Sequence, residues 1–145
     1  MVFNQEAAPS DHPLMRHCEQ IRVAYQETDG QRRVHHANYL NYFERGRVEM
    51  LRAAGVSYRS FEDDGQMLVV TEMNVRYSAA AEFDDLLELT VTVTEIRQVR
   101  IRHHYVIQRN GETIVEGDST IACVNRSGKP SKLPQAFLDA RAYLA

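Results

Sequence analysis

The hydrophobic period of this chain changes twice and then stays fixed: it is two at first, helical from about Ala37, and two again from Met67 onward. A period of two sends alternate side chains to opposite faces of a strand, whereas i, i+3, i+4 spacing gathers them on one face of a helix. One long helical stretch among strands leaves few folding solutions. The helix has to bury its apolar stripe against a face of the sheet that the strands build. No repeat, low-complexity tract or linker divides the 145 residues, a length suited to one domain. The expected fold class is α+β: one long α-helix against an antiparallel sheet of about five strands.

The elements follow from the pattern. Ile21, Val23 and Tyr25 alternate with Arg22, Ala24 and Gln26, which predicts a first strand over Glu19 to Gln26. From Ala37 to Ala54 the residues Tyr39, Tyr42, Phe43, Gly46, Met50, Ala53 and Ala54 form a helical stripe, broadened by Leu40, Val48 and Leu51. Arg45 and Glu49 are spaced for an intrahelical pair, as are Glu44 and Arg47. Gly55 is placed to end the helix. Gly46 inside the helix costs about 1 kcal/mol against alanine, which points to close approach by another backbone, most simply a sheet. Strands are predicted over Met67 to Tyr77, Leu87 to Thr94, Ile101 to Arg109 and Thr113 to Val124. Asn110-Gly111 between the last two is a strong hairpin signal. Gln135 to Leu144 reads as a short terminal helix.

Composition excludes several classes of function. The net charge is -3, which gives no electrostatic footprint for nucleic acid. No apolar run approaches the ~20 residues that span a bilayer. Residues 1–17 mix acids, prolines and histidines without the order of a signal peptide, and are expected to be a loose leader before a domain over residues 18–145. Cys18 and Cys123 fit no metal spacing and are expected to be buried thiols of a cytoplasmic protein. His103 and His104 are neighbours on a strand, so they face opposite sides and cannot chelate together. His35 and His36 are likewise adjacent, with no ligand set around them. No metal and no cofactor is expected.

Chemistry concentrates between the first strand and the helix, in Tyr25-Gln26-Glu27-Thr28-Asp29-Gly30-Gln31-Arg32-Arg33-Val34-His35-His36-Ala37-Asn38-Tyr39. An acid there lies near a helix N-terminus, where free N–H groups and the positive dipole end favour negative charge. The same N–H groups can hold the oxygen of a polarised carbonyl. Local logic alone leaves a second reading open, because Glu27, Thr28, Asp29 and Asn38 are common turn and cap residues.

This run resembles the acyl-CoA thioester hydrolases of the 4-hydroxybenzoyl-CoA thioesterase and YbgC type. Tyr25, Thr28, Asp29, Val34, His36, Asn38 and Tyr39 match that family's pattern in order, and Tyr42, Phe43, Glu44, Arg47 and Glu49 carry it into the helix. Phe83-Asp84-Asp85-Leu86, Gly128-Lys129-Pro130 and Leu133-Pro134 extend the likeness, so that it covers roughly Gln20 to Phe137.

The resemblance implies a hotdog fold, in which the sheet wraps the long helix and two protomers join edge to edge. It implies a homodimer, expected to assemble into a homotetramer, with an acyl-CoA pocket at the dimer interface. An acyl-carrier-protein thioester is an alternative substrate. It places Asp29 as the catalytic carboxylate, either general base or nucleophile, and the N–H of His36 as the group that polarises the thioester carbonyl. The His36 imidazole has either a direct or a positioning role. Tyr25, Asn38 and Tyr39 are implied substrate contacts, and Arg97 and Arg100 implied contacts for the CoA phosphates. Arg102, Lys129 and Lys132 are weaker candidates.

One departure stands out. The family usually has glycine where this chain has Gln31 or Arg32, a position suited to positive φ. Two other functions fit the same fold: a hotdog dehydratase or hydratase, and a non-catalytic acyl-thioester binding subunit. The Asp29-to-His36 spacing and the Gly128-Lys129-Pro130 segment favour the hydrolase.

Overall fold

The computed structural model describes residues 12–144. Five strands, β1 (Arg16–Arg22), β2 (Met67–Tyr77), β3 (Leu86–Ile96), β4 (Arg100–Arg109) and β5 (Glu112–Val124), form one antiparallel sheet in the order β1-β3-β4-β5-β2. The long helix α1 (Asn38–Ala53) packs on one face of the sheet, against β1 and β3. Two short helices, α2 (Tyr58–Asp63) and α3 (Gln135–Ala140), close one end through Phe61 and Phe137, whose rings lie 5.7 Å apart. This is the α+β hotdog arrangement, with β1 and β2 as its edges among the described residues.

Strand alternation behaves as its period requires. Leu87, Leu89, Val91 and Val93 of β3 are buried, as are Ile101, His103, Tyr105 and Ile107 of β4. His103 therefore faces α1, while His104 lies on the outer face with Nδ1 2.8 Å from Asp118 Oδ1. The β4–β5 turn has Asn110 at φ 49° and Gly111 at φ 81°, both left-handed as a tight two-residue hairpin needs. Gly55 follows α1 at φ 73° and ends it as expected.

Gly46 explains how closely α1 seats. A Cβ there would stand 2.6 Å from Leu89 Cδ2 and 2.8 Å from Val91 Cγ2, so the contact is with side chains of β3 rather than with a backbone. Gly117 of β5 does the same from the sheet side. Its missing Cβ leaves room for the Phe43 ring, which stacks on Tyr105 at 4.3 Å.

Several boundaries differ from the sequence reading. β1 begins at Arg16 and ends at Arg22, because Tyr25–Glu27 turns into a short 3-10 helix held by the Glu27 carboxylate, which accepts from Ala24 N at 2.7 Å. The part of the expected leader on residues 1–11 lies outside the described residues; Leu14 and Met15 are already buried. Helix α2 was not expected, since six residues are too few to show a period. Its one local sign is Ser57, whose Oγ accepts from Ser60 N.

The expected ion pairs on α1 re-sort. Arg45 reaches Glu19 of β1 at 4.0 Å and Glu49 pairs with Arg52. Arg47 forms no pair with Glu44 and instead donates to the Tyr105 hydroxyl at 2.9 Å, because it lies on the face of α1 that looks at the sheet. Cys18 is exposed on β1, contrary to expectation, and Cys123 is buried; both are free thiols.

Candidate active site

The loop between the 3-10 turn and α1 is built around Asp29. Asp29 N donates to Arg33 O at 2.8 Å, and Arg32 N returns a bond to Asp29 O at 3.0 Å. The carboxylate orders the same loop, with Oδ1 accepting from Gln31 N at 2.8 Å and more weakly from Arg33 N at 3.4 Å. Among the described residues, no hydrogen bond engages the other oxygen, Oδ2. Arg32 sits at φ 64°. The loop thus keeps the left-handed turn that glycine would favour, with an arginine in its place.

The loop is then clamped to its surroundings. Val34 N donates to Ala81 O, and His35 N donates to Glu27 O, each at 2.9 Å. Asn38 spends its side-chain amide on the same Glu27 carbonyl at 2.8 Å. These bonds fix the approach of the chain to α1, and among the described residues the N–H of His36 makes no hydrogen bond. The His36 carbonyl, by contrast, accepts from the Tyr77 hydroxyl at 3.1 Å, which pins that peptide group to the end of β2.

Asp29 and His36 open onto one cleft of about 390 Å³. Gln31, Arg33, Val34 and Tyr39 complete its first wall, and Tyr77, Ser78, Ala79 and Ala80 form the second. The Tyr39 ring is buried, lies 5.7 Å from that of Tyr77, and has its hydroxyl pKa pushed up by burial. His36 stacks on His35 with ring centroids 4.2 Å apart and stands edge-on to Tyr77. A carboxylate with one free oxygen and a residue with a free backbone donor, both lining one cleft, are the groups that handling a polarised acyl carbon and a water together requires.

The structure brings together only some of the residues singled out by sequence. Asp29, His36 and Tyr39 share the cleft. Tyr25 does not line it: its side chain is 77% exposed and meets Phe83 edge to face at 5.5 Å. Asn38 holds the loop from behind, through Glu27. Arg97 and Arg100 stand at the β3–β4 turn, at the opposite end of the sheet from Tyr77, whose register runs through Val115, Ile107 and Leu89. Arg97 pairs with Glu95 at 2.6 Å and holds that carboxyl below its ordinary range. Arg100 lines a separate hollow with Arg102, Glu72 and Glu95. The second wall was missed by sequence reasoning. Its signal is the run of small residues Ser78-Ala79-Ala80 directly after a strand, which lets a ligand approach the backbone.

Known proteins resemble the chain in sequence and in fold. Residues 23–140 match the family model described as the thioesterase-like superfamily. The chain belongs to that superfamily. It is a thioester hydrolase by class. Within the superfamily, the YbgC acyl-CoA thioesterase of Haemophilus influenzae is 32% identical over 117 residues, which cover 79% of this chain and 86% of the relative. The crystal structure of a probable thioesterase from Bartonella henselae is 32% identical, with a TM-score of 0.77 over 82% of this chain and 99% of the other. A DHNA-CoA thioesterase from Staphylococcus aureus is 26% identical, with a TM-score of 0.80 over 88% and 87%.

Proposed function

We propose that this protein hydrolyses acyl-CoA thioesters to a free acid and CoA, with Asp29 as the reacting carboxylate. The observation that carries the reading is that one cleft is lined by both Asp29, whose second oxygen is unbonded among the described residues, and His36, whose N–H is likewise unbonded. The thioester oxygen accepts from that N–H, which stabilises the charge that develops as the carbonyl carbon becomes tetrahedral. Asp29 then either takes a proton from the attacking water or attacks the carbon itself, giving a mixed anhydride that water opens. Either way the thiolate leaves and is protonated. The His36 ring, stacked on His35, positions this peptide group rather than reacting.

The basic residues at the far end of the sheet enter this reading through a second copy. An antiparallel two-fold pairing along β2 sets the beginning of one β2 beside the end of the other, so the Arg97–Arg100 turn of one protomer lies on the side of its partner's cleft. Exposed Val69, Val70 and Tyr77 give β2 the apolar edge such pairing uses. A homodimer is therefore the working unit in this reading, and a homotetramer of two dimers extends it. Two free cysteines fit a reducing cytoplasm.

The test is Asp29→Asn, assayed by free-thiol release on a panel of acyl-CoA and acyl-carrier-protein thioesters. Turnover is expected to fall by about 10²–10⁴ with the fold retained. Unchanged turnover removes Asp29 from the mechanism. Loss of enoyl absorbance without thiol release would make the protein a dehydratase or hydratase instead.

A further inference from the structure

A second cavity, of about 220 Å³, lies between the C-terminal half of α1, helix α2 and the sheet. It is separate from the Asp29 cleft within the protomer: β2 contributes Leu68 and Val70 here and Tyr77 there. Met50, Leu51, Leu68, Ile101, Ile121 and Phe137 make its lining largely apolar. Two polar side chains in that lining lack the partners their chemistry calls for.

The first is His103, which is 4% exposed and whose Nδ1 has no hydrogen-bond partner among the described residues. Native interiors rarely leave a buried nitrogen unmet, because its desolvation is then uncompensated. Burial first, and the Arg47 charge second, push its pKa down to about 3, so the ring is neutral and offers one N–H and one lone pair. The second is Arg47. Its guanidinium donates to the Tyr105 hydroxyl, itself 2.6 Å from Ser119 Oγ, and lies 5.8 Å from the Tyr105 ring centroid. Among the described residues no carboxylate lies within ion-pair distance of it. A partly buried guanidinium with only neutral partners is matched best by two acceptor oxygens on one anion.

We propose that this cavity binds a carboxylate carried on an apolar body, with the charged end at Arg47 and His103 and the body against Leu51 and Phe137. The size is suitable, since an apolar cavity of about 150 Å³ already holds a benzene ring. Glu44, exposed at the rim, opposes an anion. Charge alone therefore does not hold the ligand, and the apolar body supplies the rest. Two sources share this chemistry: a free organic acid, and the distal carboxyl of an acyl group that carries one at each end.

The experiment titrates the unaltered protein with hexanoate, hexan-1-ol and acetate by calorimetry, and follows the His103 imidazole nitrogens by NMR. Hexanoate is expected to bind about tenfold or more tightly than hexan-1-ol, with acetate too weak to measure and the His103 resonances shifting with hexanoate alone. In Arg47→Met the preference for hexanoate disappears and the affinity for hexan-1-ol remains. Equal affinities for hexanoate and hexan-1-ol, hexanoate that binds without moving the His103 signals, or no binding at all overturns the site; these readouts need no variant. A second arm compares adipoyl-CoA with hexanoyl-CoA, and it alone rests on the hydrolase reading. Faster adipoyl-CoA turnover, lost in Arg47→Met, assigns the carboxylate to the acyl group. Equal turnover with hexanoate still bound assigns it to the free acid.

Discussion

At the scale of single residues, two side chains hold conformations or charge states that the fold imposes. Arg32 adopts φ 64°, which costs a non-glycine residue on the order of 1–3 kcal/mol. Glycine at that position removes the strain but loosens the unfolded chain by up to about 1 kcal/mol. Arg32→Gly is thus expected to leave stability unchanged or raise it by up to about 2 kcal/mol, while Arg32→Val lowers it; urea midpoints decide the order. His103 is held neutral with a pKa of about 3, below the ~6.5 of an unfolded histidine. The folded state then binds fewer protons than the unfolded state between those values, so the contribution is complete above about pH 6.5 and is lost as pH falls. His103 is expected to contribute a slope of about 1.4 kcal/mol per pH unit between pH 6 and 4. Urea unfolding of His103→Asn, compared with the unaltered protein over that range, should lack it. Asp29 was legible at this scale, because an acid between a strand and a helix is a local pattern. Tyr77 was not, since its bond to the His36 carbonyl spans residues far apart in sequence.

At the scale of elements, the seat of α1 on the sheet depends on two missing methyl groups. Gly46→Ala gains about 1 kcal/mol of helix propensity, yet places a carbon against Leu89 and Val91, both fully buried. Overpacking of this kind costs about 1–3 kcal/mol, so a net loss of up to about 2 kcal/mol is expected. Gly117→Ala has no helix term to offset it. Its Cβ would lie 2.8 Å from Phe43 Cε2 and 3.1 Å from the Asn74 carbonyl oxygen, which is backbone and cannot rotate away. Gly117→Ala should therefore be the more damaging of the two, and thermal unfolding of both variants measures the difference. Periodicity found α1 and the last four strands because each is long enough to repeat its pattern several times. It overran β1, because the alternation continued through Tyr25 after the chain had already turned, and it missed α2, which is shorter than two helical turns.

At the scale of the whole molecule, the sheet of the described residues ends at β1 and β2, and β2 is the more apolar edge. Val70 is 48% exposed and Tyr77 49%, beside unpaired backbone groups that invite a further strand. If β2 is the dimer edge, Val69→Lys should shift light scattering from dimer to monomer and lower thioester turnover in parallel. A monomer that keeps full activity would show that the Asp29 cleft works without a partner's arginines.

The sequence by itself determined the one long helix, the last four strands, the hairpin at Asn110-Gly111 and the position of Asp29. All of these are local: a period, a turn dipeptide, an acid before a helix. Only the tertiary structure decided that His36 keeps a free N–H, that Ser78-Ala79-Ala80 faces it, and that Arg97 and Arg100 lie at the other end of the sheet. It also decided that Arg47 turns inward to Tyr105 and His103. Those facts depend on which strands pair and in which register, and register is set by burial summed over the whole sheet rather than by any short stretch of chain.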